Sequence, residues 1–141
     1  DPCKTVACLH GGNCIGGTCS CLTGYEGVNC QIAINEKLAG RFTGNDCDGS
    51  ASYTITAGTT NGTAIYLPLS VSDGTCSGNF SLMGDITNTG SFAFPTKVYN
   101  VCSTTFSIGA TGAIVGSILS INFTVTIPGV GTETCSFTGS K

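Results

Sequence analysis

The stretch Leu119-Ser120-Ile121-Asn122-Phe123-Thr124-Val125-Thr126-Ile127 is apolar at every odd position and polar at every even one. Side chains of a β-strand point alternately to its two faces, so this period of two predicts a strand with one face in a core and the other in solvent. Working outward, the same parity places Ala51, Tyr53 and Ile55 inward on one strand, Ile65, Leu67, Leu69 and Val71 on the next, and Cys76, Phe80 and Leu82 on a third. Phe92 and Phe94, then Phe106 and Ile108, then Cys135 and Phe137 continue the series, and Leu38 and Phe42 supply the first strand.

Between these segments stand Asp48-Gly49, Asn61-Gly62, Asp73-Gly74, Thr89-Gly90, Thr111-Gly112 and Pro128-Gly129, pairs of residues that favour tight turns. They leave no room for crossover helices, so neighbouring strands are expected to be sequential and antiparallel, an all-β meander of roughly seven to nine strands. Closure into an up-and-down β-barrel removes the exposed edges of such a sheet; a two-sheet β-sandwich is the alternative. Closure would make the first and last strands neighbours, bringing Cys47 to Cys135 and leaving Cys76 with Cys102. Four cysteines allow three connectivities, and this is the one closure favours.

The first thirty residues have a different character. Cys3, Cys8, Cys14, Cys19, Cys21 and Cys30 follow the spacing C-x4-C-x5-C-x4-C-x-C-x8-C. So short a segment cannot bury enough apolar area to hold a fold, and cross-links must replace the missing core. Spacing alone leaves fifteen pairings. The pattern, with Gly24, Tyr25 and Gly27 in the last gap, resembles an EGF-like domain. That resemblance implies Cys3 with Cys14, Cys8 with Cys19 and Cys21 with Cys30. The expected organisation is an EGF-like domain over residues 1–31 and an antiparallel β-barrel with a lipocalin-like meander over residues 32–141. The segment Gln31-Ile32-Ala33-Ile34-Asn35-Glu36-Lys37-Leu38 lacks proline and a glycine-serine run, and is expected to be a short packed connection containing one helical turn.

The second part carries its own resemblance. Leu38-Ala39-Gly40-Arg41-Phe42-Thr43-Gly44 leading to Cys47, Ser52-Tyr53-Thr54-Ile55, Phe92-Ala93-Phe94-Pro95 and the final Cys135-Ser136-Phe137-Thr138-Gly139-Ser140-Lys141 resemble small β domains of Bacteroidetes surface lipoproteins, some of which carry an EGF-like module. Those proteins are described as calcium-binding, EGF-like cell adhesion proteins, and the resemblance implies a cell-surface binding protein without bringing an activity.

Composition narrows the function classes. Charged residues make up 9% of the chain and the formal net charge is -3, too sparse and too acidic for a nucleic-acid face. Ten cysteines with no CxxC pair and a single histidine, His10, argue for disulfides in an oxidising compartment rather than structural zinc. No apolar run approaches the length of about eighteen residues needed for a membrane helix. The expectation is a mature or trimmed ectodomain, extracellular or on a bacterial cell surface, secreted or held to the membrane only through a removed lipid anchor.

Candidate chemistry is thin. Calcium-binding EGF-like domains use an acidic pair before the first cysteine and further oxygen ligands between the third and fourth; here Asp1-Pro2 and Ile15-Gly16-Gly17-Thr18 offer almost none, so no metal site is expected. Asn45-Asp46-Cys47-Asp48-Gly49-Ser50 is acidic but lacks the later ligands of a calcium loop, and reads as a turn. His10 reads as an exposed loop residue, no thiol is left over, and Asp46, Asp48, Asp73, Asp85 and Glu133 mostly fall at turns or strand ends, so no catalytic residues and no cofactor are expected. Three glycan-acceptor triplets begin at Asn61, Asn79 and Asn122, all on solvent faces. Tyr66 lies on the polar face opposite Leu67 and Leu69, which makes it a possible contact residue, whereas Tyr25 is expected to pack within the EGF-like part. The leading expectation is a non-enzymatic binding or adhesion module recognising an unknown surface protein or glycan; a lipocalin-like carrier of a small ligand is the alternative.

Overall fold

Three disulfides, Cys3–Cys14, Cys8–Cys19 and Cys21–Cys30, tie the first thirty residues together in the first-third, second-fourth, fifth-sixth order that the resemblance implies, and this disulfide-rich segment is here called the EGF-like module. The computed structural model describes residues 1–59, 62–72, 74–88 and 90–141. The turn signals at Asn61, Asp73 and Thr89, the glycan-acceptor position at Asn61 and the carboxylate of Asp73 lie outside the described residues. Two small hairpins form the module: β1 (Asn13–Ile15) pairs with β2 (Thr18–Ser20), and β3 (Tyr25–Glu26) pairs with β4 (Ile32–Ala33). The connecting segment is thus hydrogen-bonded to the module, and it runs directly into α1 (Ile34–Leu38).

Eight long strands follow: β5 (Gly40–Asp46), β6 (Gly49–Ala57), β7 (Ala64–Ser72), β8 (Ser77–Asn88), β9 (Ser91–Val101), β10 (Thr104–Val115), β11 (Ile118–Ile127) and β12 (Gly131–Ser140). Each pairs antiparallel with its sequence neighbour, and β12 pairs with β5 through Thr138–Asn45, Gly139–Gly44 and Ser140–Thr43, which closes the barrel. Cys47, in the β5–β6 turn, is joined to Cys135 of β12, and Cys76, just before β8, is joined to Cys102 in the β9–β10 turn. Both central residues of that turn, Cys102 (φ 55) and Ser103 (φ 61), are left-handed, the conformation a two-residue hairpin needs to match strand twist.

Three details of the strand assignment are corrected. Leu38 is the last residue of α1 rather than part of the first strand; it is buried all the same, because the helix lays it across the end of the barrel. Cys76, expected inward, precedes β8 and is exposed, since its disulfide spans two turns rather than the core. Thr111-Gly112 is not a turn: both residues sit inside β10, which turns at Gly116-Ser117. Gly112 is small for a packing reason, as a Cβ there would lie 2.5 Å from the Phe92 ring.

Burial runs unevenly along the barrel. Ile65 and Leu67 of β7, and Leu119 and Ile121 of β11, are fully enclosed, whereas Leu69 and Val71, and Val125 and Ile127, farther along the same strands, are only half-buried. The core, which includes Phe42, Ile55, Phe92, Phe94 and Phe137, therefore fills the end next to α1 and thins towards the other, here called the mouth. Aromatic pairs such as Phe92–Phe94, 5.8 Å apart and edge-to-face, fill the plugged end.

The plugged end is where the EGF-like module docks. Asn35 is 1% exposed, and its Nδ2 donates to Gly58 O at 3.1 Å and Ala64 O at 2.8 Å, carbonyls at the two ends of the β6–β7 loop. Its backbone N–H donates to Gly62 O, and that of Ile34 donates to Gly24 O. Gly24 and Gly62 face each other so closely that a Cβ on Gly24 would lie 2.7 Å from Thr63, while Gly24 also holds a φ of +98°. A Lys37–Glu26 salt bridge spans the junction at the surface.

Replacing Asn35 by Ala removes a buried side chain that donates to two half-buried carbonyls, of which Ala64 O keeps the Gly58 N–H, and should cost roughly 1–3 kcal/mol in urea unfolding. Asn35→Asp should cost more at neutral pH, since a carboxylate would face those carbonyls. Its folded-state pKa would rise above the unfolded value near 4, so the deficit should grow with pH above 4 and shrink in acid.

Candidate functional site

A proline opens the wall of the barrel. Gly58 N–H donates to Ala64 O at 2.8 Å, and Ala57–Ile65 and Thr56–Tyr66 continue that ladder between β6 and β7. Main-chain groups alternate sides along a strand, so the even-numbered residues of both strands turn their N–H and C=O towards each other. The next rung would set Thr54 against Pro68, which has no N–H to give. Pairing stops there. Beyond it, Ser52 and Tyr53 on one side and Leu69 and Ser70 on the other line opposite walls of a cleft of ≈570 Å³, with Asn79, Phe80 and Ser81 of β8 alongside.

The other flank of the β7–β8 hairpin is loose as well. β8 and β9 pair only where Asp85–Asn88 meets Ser91–Ala93, with a bulge between Ile86 and Asn88. Side chains fill the gap nearer the mouth: Phe80 packs against Tyr99 at 4.8 Å and Phe106 at 5.4 Å, and Tyr99 OH donates to Ser81 O at 3.2 Å. The tip of the hairpin is fixed by Cys76–Cys102.

Two further cavities occupy the mouth, of ≈300 and ≈310 Å³, and both are lined by Leu69, Ile108 and Val125. Leu69 also lines the cleft, so the three adjoin at that side chain. The floor is apolar, made by Phe106, Ile108, Phe123, Val125 and Ile127, and the rim carries Asp46, Asp48 and Glu133. Tyr53 stands where mouth and cleft meet. Its ring rests edge-on against Phe137 at 4.7 Å, its OH donates to Asp46 Oδ2 at 2.8 Å, and Asp46 Oδ1 accepts the N–H of Asp48 at 2.8 Å. Burial, then the hydrogen bond to Asp46 and the charges of Asp46 and Asp48, push the Tyr53 phenol up to about 12.

The residues singled out from sequence are scattered by the fold, with one exception. Asp46, Asp48 and Glu133 come to a common rim, while Asp85 accepts a hydrogen bond from Thr63 at the opposite end. His10 is exposed; its Nδ1–H donates to Cys30 O at 2.7 Å and its ring stacks on Tyr25 at 4.2 Å, so it braces the EGF-like module. Tyr66 is half-buried on the outer face at the last β6–β7 rung, its ring beside Gly58. Asn79 and Asn122 are exposed, the first on the cleft wall and the second accepting a hydrogen bond from Ser136. Among the described residues the one group with metal-ligand atoms in reach of each other is Asp46, Cys47 and Cys135, and both sulfurs are consumed in a disulfide. Pro68 and Tyr53 were not read from sequence as site residues; a proline inside an alternating run was the available sign of an unpaired edge.

No family model matches the chain, and no solved structure does. A 41-residue alignment, 26% of this chain, is 46% identical to pikachurin of Rattus norvegicus and spans 4% of that protein's length. Five disulfides and no free cysteine among the described residues fit an extracellular module.

Spectrophotometric titration should find one tyrosine ionising near pH 12. Because its folded-state pKa lies above the unfolded value of about 10, the stability it contributes is complete below pH 10 and is lost as pH rises towards 12. Asp46→Asn removes a charge and should bring that titration down towards 10, with burial keeping it above. Calorimetric titration of the intact chain with calcium should show no saturable site tighter than about 1 mM, for want of oxygen ligands.

Proposed function

We propose that this chain is a non-enzymatic extracellular binding module that recognises a surface protein or glycan through the mouth of its barrel and the β6–β7 cleft. The observation that carries the reading is the break at Pro68, which leaves a cleft of ≈570 Å³ in the barrel wall beside the apolar floor of the mouth. The chemistry of the site favours binding over catalysis. Both carboxylate oxygens of Asp46 accept hydrogen bonds from the protein itself, and the single histidine is held in the EGF-like module. The Gly24–Gly62 contact and the buried Asn35 support a fixed rather than tethered module, which would present the mouth away from the EGF-like end. The resemblance to Bacteroidetes surface lipoproteins supports adhesion at a bacterial cell surface, by a secreted or lipid-anchored protein.

A lipocalin-like carrier is the second reading, favoured by the apolar cavity of ≈300 Å³ at the mouth. Against it stands the core, since Phe42, Phe94 and Phe137 occupy the space in which a buried ligand would sit.

Protein and glycan arrays probed with the parent and with Ser70→Trp test both. Ser70 is exposed on the cleft wall, so the bulky side chain should fill the cleft without disturbing the core. Loss of array binding with an unchanged melting temperature is expected. Binding that survives the filled cleft would remove this site from the function, and saturable uptake of an apolar dye with no array signal would favour the carrier.

A further inference from the structure

Three features converge on the first half of β6. Its even-numbered residues turn their main chain towards β7, so beyond Thr56 the groups of Thr54, Ser52 and Ser50 point towards β7 with no rung to it, and Ser52 lines the cleft. The facing edge is blunted by Pro68 and cannot complete the ladder. One wall is therefore an open strand edge with its donors and acceptors intact, and the other is an edge that has lost one.

The second feature is the apolar floor beside the cleft, which shares Leu69, Ser70 and Phe80 with it and onto which one face of an added strand would project. The third is charge. Among the described residues, none of Asp46, Asp48 and Glu133 has a lysine or arginine within ion-pair distance, and Lys37 and Lys141 lie together at the far end, where Lys141 Nζ donates to Lys37 O. The mouth is thus negative and uncompensated, and its occupant should bring positive charge.

We infer that β6 receives an extended segment of a partner protein, which adds to the edge from Gly49 to Thr54 as a strand. Alternate apolar side chains of the segment lie over the mouth, and its lysine or arginine side chains meet the acidic rim. An extended polypeptide repeats its N–H and C=O every second residue, about 7 Å apart, as the open edge does; a glycan has no such repeat. The inference rests on the cleft being the binding site and specifies the partner as protein.

The probe is a fluorescein-labelled octapeptide alternating lysine and valine, with two isomers N-methylated at the odd or at the even residues. Fluorescence anisotropy should show saturable binding of the unmodified peptide to the intact chain and a loss of at least about tenfold for one methylated isomer, which cannot donate to the edge. Asp48→Asn combined with Glu133→Gln, both exposed positions, should weaken binding by about tenfold, and the glutamate–valine peptide should fail to bind. Pro68→Val restores a donor facing β6 and should weaken binding by competing for the same edge. Equal binding of both methylated isomers, unaltered binding to Pro68→Val, or no binding of the unmodified peptide would overturn the inference. Should the peptide fail while an array ligand remains sensitive to Ser70→Trp, the cleft stays the binding site and only its partner changes; if no ligand responds to Ser70→Trp, the site itself is lost.

Discussion

The barrel closes through three residue pairs. β12 meets β5 only at Thr138–Asn45, Gly139–Gly44 and Ser140–Thr43, whereas β11 and β12 pair along their whole length. Everything inward-facing in the larger part of the chain depends on that short seam, because without it the sheet would have two free edges and no enclosed face. Gly44 and Gly139 let the strands approach: a Cβ on Gly139 would lie 2.6 Å from the carbonyl oxygen of Thr43. Cys47–Cys135 staples the seam on its mouth side, across a sequence separation of 88 residues. In the chain-entropy model a loop of that size stabilises the folded state by roughly 4–5 kcal/mol, several times what one rung of the ladder contributes.

The seam explains why the fold class was legible in the sequence. A closed meander makes each strand half-buried, so a period of two runs through most of the strands; it slips in β9 and β10, where their register shifts between Ile108 and Ala110, and is uninterrupted in the sequence Leu119–Ile127. Where the reading went astray, a local signal was serving a tertiary purpose. Thr111-Gly112 has the composition of a turn, but Gly112 is small because the Phe92 ring lies over it. Leu38 is apolar at the right distance from Phe42 for a strand, but Asn35 fixes the preceding turn as helix by bonding across to the β6–β7 loop, a contact no local pattern records.

The site was less legible than the fold. Alternation over Ile65, Leu67, Leu69 and Val71 describes which side chains face inward and is silent on whether the main chain between them is paired. Pro68 stands within that run and carried the missing information. It leaves parity intact, since its own side chain points outward, and it removes a donor on the side facing β6. Likewise Asp46, Asp48 and Glu133 are dispersed in sequence, and only closure, which sets β12 beside β5, brings Glu133 to the rim shared by the other two.

The two ends of the barrel are held by different forces, and this division is what permits an open mouth. At the EGF-like end, enclosed apolar side chains and the hydrogen bonds of Asn35 secure the strands. Towards the mouth the core thins, β6 parts from β7, and β8 is bonded to β9 only at its far end. A hairpin with a thin core and few main-chain neighbours would ordinarily fray. Both disulfides of the barrel lie at this end, one on the β12–β5 seam and the other binding the tip of the β7–β8 hairpin to the β9–β10 turn. Covalent links there take the place of burial, just as they do in the EGF-like module. The cleft can therefore keep unpaired main chain and apolar surface exposed without depending on either for the stability of the fold.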